Sequence, residues 1–100
     1  MAVKFKTIIG IVELTTERRA HIIQHHPIME DYLIYLKEVL TKPKEIRYSN
    51  RSGEVLLFYR YFVKIEDGKY IVAVVNKVEK EVKTAYLSHR IKIGRKYETE

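Results

Sequence analysis

The stretch "VLLFYRYFVKIEDGKYIVAVVNKVEKEVKTAYL", residues 55–87, decides the fold. It contains three runs of apolar, β-branched and aromatic residues, and each run is typical of a β-strand. "EDGK" separates the first two runs and contains Asp-Gly, which strongly favours a hairpin turn. "EKE" separates the second run from the third. Because short turns join antiparallel neighbours, the sequence predicts a meander of strands here.

The segment upstream predicts two helices between strands. "VKFKTIIGIVE", residues 3–13, is typical of one strand, with Gly10 as a bulge or a point of close approach. Thr15 is the expected N-cap of the helix "TERRAHIIQHH". This helix should end near His26, because Pro27 disfavours helical geometry in the residue before it.

A second helix is predicted over residues 28–40, because apolar residues recur there at three- and four-residue steps. "TKPK" ends it, and "EIRYS" predicts a short strand ahead of the meander. The fold class is therefore α+β: an N-terminal strand and two helices packed on a meandering antiparallel sheet of about four strands.

The length of 100 residues predicts a single domain over residues 1–100. The chain has no cysteine, which excludes disulfides and thiolate metal sites. No stretch approaches the apolar length of a membrane span, and the N-terminal run lacks a cleavage site. We therefore expect a cytoplasmic location and no membrane partner.

The net charge is +6, from 19 Lys and Arg against 13 Asp and Glu. This balance favours a polyanionic partner such as nucleic acid. The alternative is that a lysine-rich surface simply keeps the protein in solution. The densest positive cluster lies in the basic C-terminal tail "SHRIKIGRKYETE" and includes Arg90, Lys92 and Lys96.

Three of the four histidines lie in "HIIQHHPIM", residues 21–29. His21 and His25 are four residues apart and so share a helix face, but no third ligand is marked nearby, and we predict no metal site. An imidazole is suited to general acid–base catalysis near neutral pH, which makes His21 and His26 candidates. Alternatively, His21 is a hydrogen-bonded core residue and His25 or His26 is solvated.

Residues of the meander supply further candidates. Arg60 lies among apolar neighbours in "LFYRYFV", where it either forms an ion pair or meets an anion. Thr84 and Tyr86 alternate along the last strand and share a face, although both residue types are common in strands. Lys77, near the end of the neighbouring strand, is either surface charge or a phosphate contact.

The chain resembles a known family in five fragments that occur in order. They are "LTTERRAHIIQHHPIM", "VLTKPKEIRYS", "LLFYRYF", "GKYIVAVVNKV" and "VKTAYLSHRIKIG". They are similar to the phage-type branch of the barnase–EndoU–colicin–RelE nuclease-fold proteins, abbreviated PBECR. The resemblance covers about residues 12–96, and His21 and His26 fall at its two matching histidine positions.

The resemblance implies an RNA site on the open face of the sheet and metal-independent cleavage, with no cofactor. The 2′-hydroxyl would attack phosphorus, with His21 as acid or base, His26 as a second candidate or an orienting partner, and Arg60 as phosphate clamp. Thr84 and Tyr86 would donate hydrogen bonds or position the ribose. The predicted RNA-binding residues are Arg18, Lys77, Arg90, Lys92 and Lys96.

Two other interpretations stay open beside a ribonuclease. One is a non-catalytic module that binds RNA or a protein, with the same fold and charge. The other is a toxin-like protein whose activity a partner, an antitoxin, masks. The tyrosines suit either base stacking or a homo-oligomer interface.

Overall fold

The computed structural model describes residues 2–92 and 94–97. Ile93 and residues 98–100 of the predicted tail lie outside this range. Six strands and two α-helices are present in the described residues, with two short 3-10 segments between the helices. In chain order they are β1 (Val3–Thr7), β2 (Gly10–Leu14), α1 (Thr16–His25), the 3-10 segments Pro27–Asp31 and Leu33–Tyr35, α2 (Leu36–Thr41), β3 (Glu45–Tyr48), β4 (Val55–Phe62), β5 (Lys69–Asn76) and β6 (Glu81–Ser88).

The N-terminal segment forms a hairpin, and the prediction of one strand over residues 3–13 is wrong. β1 and β2 pair antiparallel, and Thr7 lies opposite Gly10. The Thr7 hydroxyl donates to the Gly10 carbonyl at 2.7 Å and accepts from the Ile9 N–H at 3.1 Å. Gly10 has φ +106°, which a residue with a side chain rarely adopts. The turn therefore depends on Gly10 rather than on a polar loop.

The first helix begins and ends as predicted. The Thr15 side chain accepts a hydrogen bond from the Arg18 N–H at 3.1 Å, so Thr15 is the N-cap. His26 is the C-cap, and its N–H donates to the Ile22 carbonyl at 2.7 Å. Pro27 follows directly, and its ring disfavours helical geometry at His26.

The predicted second helix is only partly α-helical. After Pro27, the N–H of Tyr32 donates to the carbonyl of Met29, and the N–H of Tyr35 donates to Tyr32, both at 3.0 Å. These are i to i+3 bonds of 3-10 type, and regular α-helix starts only at Leu36. The apolar spacing still has its predicted effect, since Met29, Leu36 and Leu40 are fully buried.

The sheet has six strands in the order β1-β2-β6-β5-β4-β3, so the prediction of about four strands is too low. β3 to β6 are antiparallel neighbours in chain order, which confirms the meander. β2 adds to β6 in parallel through one residue pair, Glu13 and Glu81, which makes the sheet mixed. The α+β class is confirmed. No helix in the described part of the chain has the length and apolarity needed to cross a membrane.

The sheet has two different faces, and register assigns side chains to them. Phe58 lies opposite Ala73, which lies opposite Ala85, and all three belong to the main core together with residues of both helices. We call this side the helix face. Tyr59 lies opposite Val72; both are fully buried but lie outside the main core cluster. We call this second side the tail face.

The C-terminal tail crosses from β6 to β3 on the tail face. The N–H of Lys92 donates to the Tyr59 hydroxyl at 3.2 Å. Further along, the Tyr48 N–H donates to the Arg95 carbonyl and the Tyr97 N–H donates to the Ile46 carbonyl, both at 2.8 Å. The face that the resemblance leaves open is therefore covered in part by the protein's own tail, which explains why Tyr59 is buried.

Candidate nucleic-acid interface

A groove lies on the tail face, beside the point where the tail crosses it. Register places Leu57, Val74 and Thr84 in one row across three strands, and each is half-buried. The next row holds Tyr59, Val72 and Tyr86. The cavity has a volume of about 420 Å³. Its lining residues are Tyr48, Ser49, Asn50, Arg51, Leu57, Tyr86 and Lys92, and we call it the tyrosine groove.

Cations lie against two tyrosine rings, of which only Tyr86 lies on the tail face. Tyr48 lies opposite Leu56 and packs against the main core, so its ring lies on the helix face. The Lys92 Nζ lies 5.4 Å from the centre of the Tyr86 ring. The Tyr48 ring has the Arg95 guanidinium carbon at 4.1 Å and the Lys77 Nζ at 5.3 Å. These distances are within the range of cation–π attraction. The groove therefore combines one aromatic ring, Tyr86, with the cations Lys92 and Arg51.

The backbone of Lys92 is held by a buried phenol. The Tyr59 hydroxyl accepts the Lys92 N–H, and Tyr59 itself is fully buried. Burial raises the pKa of Tyr59, although the Lys92 N–H opposes that shift. Tyr59 consequently stays a neutral phenol at neutral pH and acts as an anchor for the tail rather than as an acid or base.

Arg47 fixes the far end of the tail. Its Nη1 donates to the Gly94 carbonyl at 2.7 Å, and its Nε pairs with the Glu45 carboxylate. A backbone bridge joins Arg47 to Lys96. Lys96 is therefore held beside β3, while Arg90 lines a neighbouring cavity of about 370 Å³ that shares Asn50 and Lys92 with the tyrosine groove.

One of the predicted histidines reaches this face. The His26 ring lies 5.7 Å from the Tyr86 ring, measured between centroids, and is half-buried. The C-cap hydrogen bond of α1 and the following proline fix its backbone. His26, Tyr86 and Lys92 thus form one cluster of an imidazole, a phenol and an ammonium group, with Thr84 in the neighbouring row of β6.

The other two helix histidines pair with each other. The ring centroids of His21 and His25 are 4.3 Å apart. Partial burial lowers the pKa of His21, and the charges of His25, Arg18 and His26 lower it further. His21 is therefore biased toward its neutral form. In the described part of the chain, no three His, Asp or Glu side chains converge as metal ligands.

Arg60 lies on the opposite side of the sheet from Tyr86. It occupies the row of Ile71 and Leu87, on the helix face. Its Nε pairs with the Glu38 carboxylate at 2.8 Å, and its Nη1 donates to the Lys42 carbonyl at 2.6 Å. The expectation that Arg60 and an imidazole share one pocket is therefore not met, because strand alternation turns Arg60 toward α2.

Arg18 also lies apart from the tyrosine groove. Its Nε is 4.0 Å from a carboxylate oxygen of Glu81, near the point where β2 meets β6. Of the predicted residues, the structure thus groups His26, Thr84, Tyr86 and Lys92 around the tail face. Lys77 lies against the Tyr48 ring on the helix face. Arg18 and Arg60 lie elsewhere.

The groove residues missed from the sequence include Tyr48, Ser49, Asn50 and Arg51. They lie at the end of β3 and in the following turn, "NRSGE". An arginine beside Asn and Ser in a turn is, on its own, only a weak indication of a binding site. Its proximity to Tyr86 depends on the order of strands, which the local sequence does not encode.

Comparison with protein-family models, with curated proteins and with solved structures gave no match to this chain. The resemblance to the PBECR nucleases therefore remains a prediction that rests on the five fragments. What the groove does has to be argued from its own residues. These are the Tyr86 ring, an apolar floor at Leu57, and the cations Arg51 and Lys92.

Proposed function

We propose that this protein binds single-stranded RNA in the tyrosine groove. The observation that carries the proposal is the Tyr86 ring, which lines the groove with the Lys92 ammonium 5.4 Å from its centre. An unpaired base stacks on such a ring, and the adjacent ammonium meets the phosphate. Aromatic side chains interleaved with cations are the usual basis of this recognition.

A further cation borders the groove. Arg51 lies in the turn that lines it, next to Ser49 and Asn50. A phosphate beside the base stacked on Tyr86 therefore has a second cation to meet. The groove volume of about 420 Å³ suits one or two nucleotides rather than a duplex. Single-strand binding follows, because bases in a duplex are not free to stack on protein rings.

The binding test uses a fluorescent, mixed-sequence RNA with 2′-O-methyl groups, which cannot be cleaved by 2′-hydroxyl attack. We expect Tyr86→Ala to weaken binding by roughly 5- to 100-fold in fluorescence anisotropy, and Tyr86→Phe to retain the affinity. Lys92→Ala should lower the salt dependence by about one phosphate contact. Lys4→Ala on β1 is the control, since it removes the same charge far from the groove.

Two outcomes would contradict groove binding. If Lys4→Ala and Lys92→Ala weaken binding equally, net charge rather than the groove attracts the RNA. If a duplex of the same sequence binds as tightly as the single strand, base stacking on Tyr86 is not the recognition step.

A second candidate function is metal-independent cleavage of the bound RNA, and the contact between His26 and Tyr86 favours it. In this reaction the 2′-oxygen bonds to phosphorus and a base takes its proton. The bond to the 5′-oxygen breaks, and an acid protonates that oxygen. We assign His26 one of the two proton transfers and solvent water the other, because the His21 ring pairs with His25 rather than with the groove. Lys92 replaces Arg60 as the cation beside the phosphate, because Arg60 faces α2.

The cleavage test uses unmodified RNA in EDTA. We expect His26→Ala to reduce the rate by about 10²- to 10⁴-fold, while 2′-O-methyl RNA stays intact. Arg60→Gln should retain the rate, provided that its thermal melt shows a folded protein. Cleavage that persists in His26→Ala, or that requires a divalent ion, would leave binding as the function of the groove.

A further inference from the structure

The outer strand β1 has an unpaired edge. Among the described residues it pairs with β2 and with no other strand, so it ends the six-stranded sheet. Backbone N–H and C=O groups along such an edge are ready to pair with an added strand. This edge lies at the opposite end of the strand order from β3, where the tail is attached.

An apolar groove adjoins the β1 edge. It has a volume of about 460 Å³ and lies between the β1–β2 hairpin and the helical segments. Val3 and Phe5 line it from β1, and Leu33 and Ile34 line it from the second 3-10 segment. Val3 is 51% exposed and Ile34 is 81% exposed, so large apolar side chains face solvent here. We call this feature the edge groove.

The alternation of side chains along β1 determines which residue types would fit at each position of an added strand. Val3 and Phe5 share one side of β1, whereas Lys4 and Lys6 share the other. A strand added to β1 would therefore place alternate side chains toward the edge groove and the intervening ones beside the two lysines. Apolar residues fit the first set of positions, and carboxylates fit the second.

The charges at this edge favour an acidic partner over a second copy of this chain. Two β1 strands paired with each other would bring their lysines together, which is destabilising. Lys4 has Glu13 as its cross-strand neighbour on β2, but Lys6 faces Ile11 and has no acidic neighbour there. Arg19 and Lys37 add positive charge at the groove, against one carboxylate from Glu30.

We propose that the β1 edge binds an extended acidic segment of a partner protein, in which apolar residues alternate with carboxylates. The segment pairs with β1 through its backbone, places its apolar side chains in the edge groove and places carboxylates beside Lys4 and Lys6. This proposal stands on β1 and its groove and does not depend on RNA binding at the tail face.

The probe is a short, fluorescent, acetylated peptide in which glutamate alternates with valine. We expect saturable binding by anisotropy, with increased protection of β1 amides in hydrogen exchange. Lys6→Glu should weaken binding by about tenfold, and Lys4→Glu by less, because Glu13 already neighbours Lys4. Lys64→Glu, an exposed charge reversal in the β4–β5 turn, is the control and should change the affinity little.

Two further peptides separate the contributions. N-methylation of the peptide backbone removes edge hydrogen bonds and should abolish binding, and lysine in place of glutamate should do the same. Binding that survives N-methylation, or that Lys64→Glu weakens as much as Lys6→Glu does, would overturn the proposal. Protection of β1 that grows with the concentration of the protein alone would assign the edge to a second copy and also overturn it.

Discussion

Both faces of the sheet bury side chains, but different parts of the chain cover them. On the helix face, Phe58 and Ala73 pack against helices in one continuous apolar core. On the tail face, Tyr59 and Val72 are equally inaccessible, yet the cover includes an irregular basic tail held by hydrogen bonds. The irregular cover of the tail face leaves the tyrosine groove beside it.

The comparison predicts first that the helix face dominates stability. Phe58→Ala should lower the free energy of unfolding by about 3–5 kcal/mol, because it opens a cavity among fully buried side chains. Leu57→Ala, one residue away on the half-buried tail face, should cost clearly less, because water already reaches that position. Urea denaturation of both variants measures the difference. Equal losses would mean that the tail face is as tightly packed as the core.

This contrast also explains which parts of the fold could be predicted. The four strands of the meander, the Thr15 cap and the end of α1 near His26 follow from turn residues, capping chemistry and Pro27, which are all local. The β1–β2 hairpin could not be found in this way, because its two-residue turn is Ile8-Ile9 and only Gly10 marks it. Apolar turn residues carry no local signal.

The position of Arg60 could not be derived from the sequence for a different reason. β4 reads "VLLFYRYF", which is apolar on both faces because both faces are covered. Without alternation of apolar and polar residues, the pattern does not tell on which face of the sheet the Arg60 side chain lies. Tyr86 reaches the site through contacts with the tail and with α1, and such long-range contacts are absent from local patterns.

A second prediction concerns the tail's anchor on its own face. Tyr59→Phe keeps the buried ring and removes the hydroxyl that accepts the Lys92 N–H. We expect a loss of about 0.5–1.5 kcal/mol in the free energy of unfolding. Amide exchange at Lys92 should accelerate, because its N–H loses this partner. Unchanged exchange there would show that the tail is held by Arg47 and the β3 edge instead.

A third prediction sharpens the separation of Arg60 from the groove. Glu38→Gln weakens the ion pair with Arg60. The Arg60 side chain is 33% exposed and the Glu38 side chain is 48% exposed. Such exposed pairs contribute about 0–1 kcal/mol, so we expect a small change in the free energy of unfolding. Binding of 2′-O-methyl RNA should not change. A clear change in affinity would place the RNA on the helix face.

The smallest expected effect concerns α1, which contributes to both faces: Ile22 belongs to the main core, and His26 contacts Tyr86. On the same helix, partial burial and neighbouring positive charges lower the pKa of His21 below its ordinary value of 6.5. The unfolded chain therefore binds more protons than the folded one in the pH range between the lowered pKa and 6.5.

The free energy of unfolding should consequently rise with pH across that range. Below the range, the loss of stability caused by the lowered His21 pKa should be fully present. His21→Gln should flatten this part of the profile in denaturation at several pH values. His25→Gln leaves the partial burial of His21 in place but removes one of the charges, so it should raise the His21 pKa toward 6.5, as measured by NMR titration of the ring. A His21 pKa that does not respond to His25→Gln would mean that burial and the charges of Arg18 and His26 set it, and the paired rings would then not be electrostatically coupled.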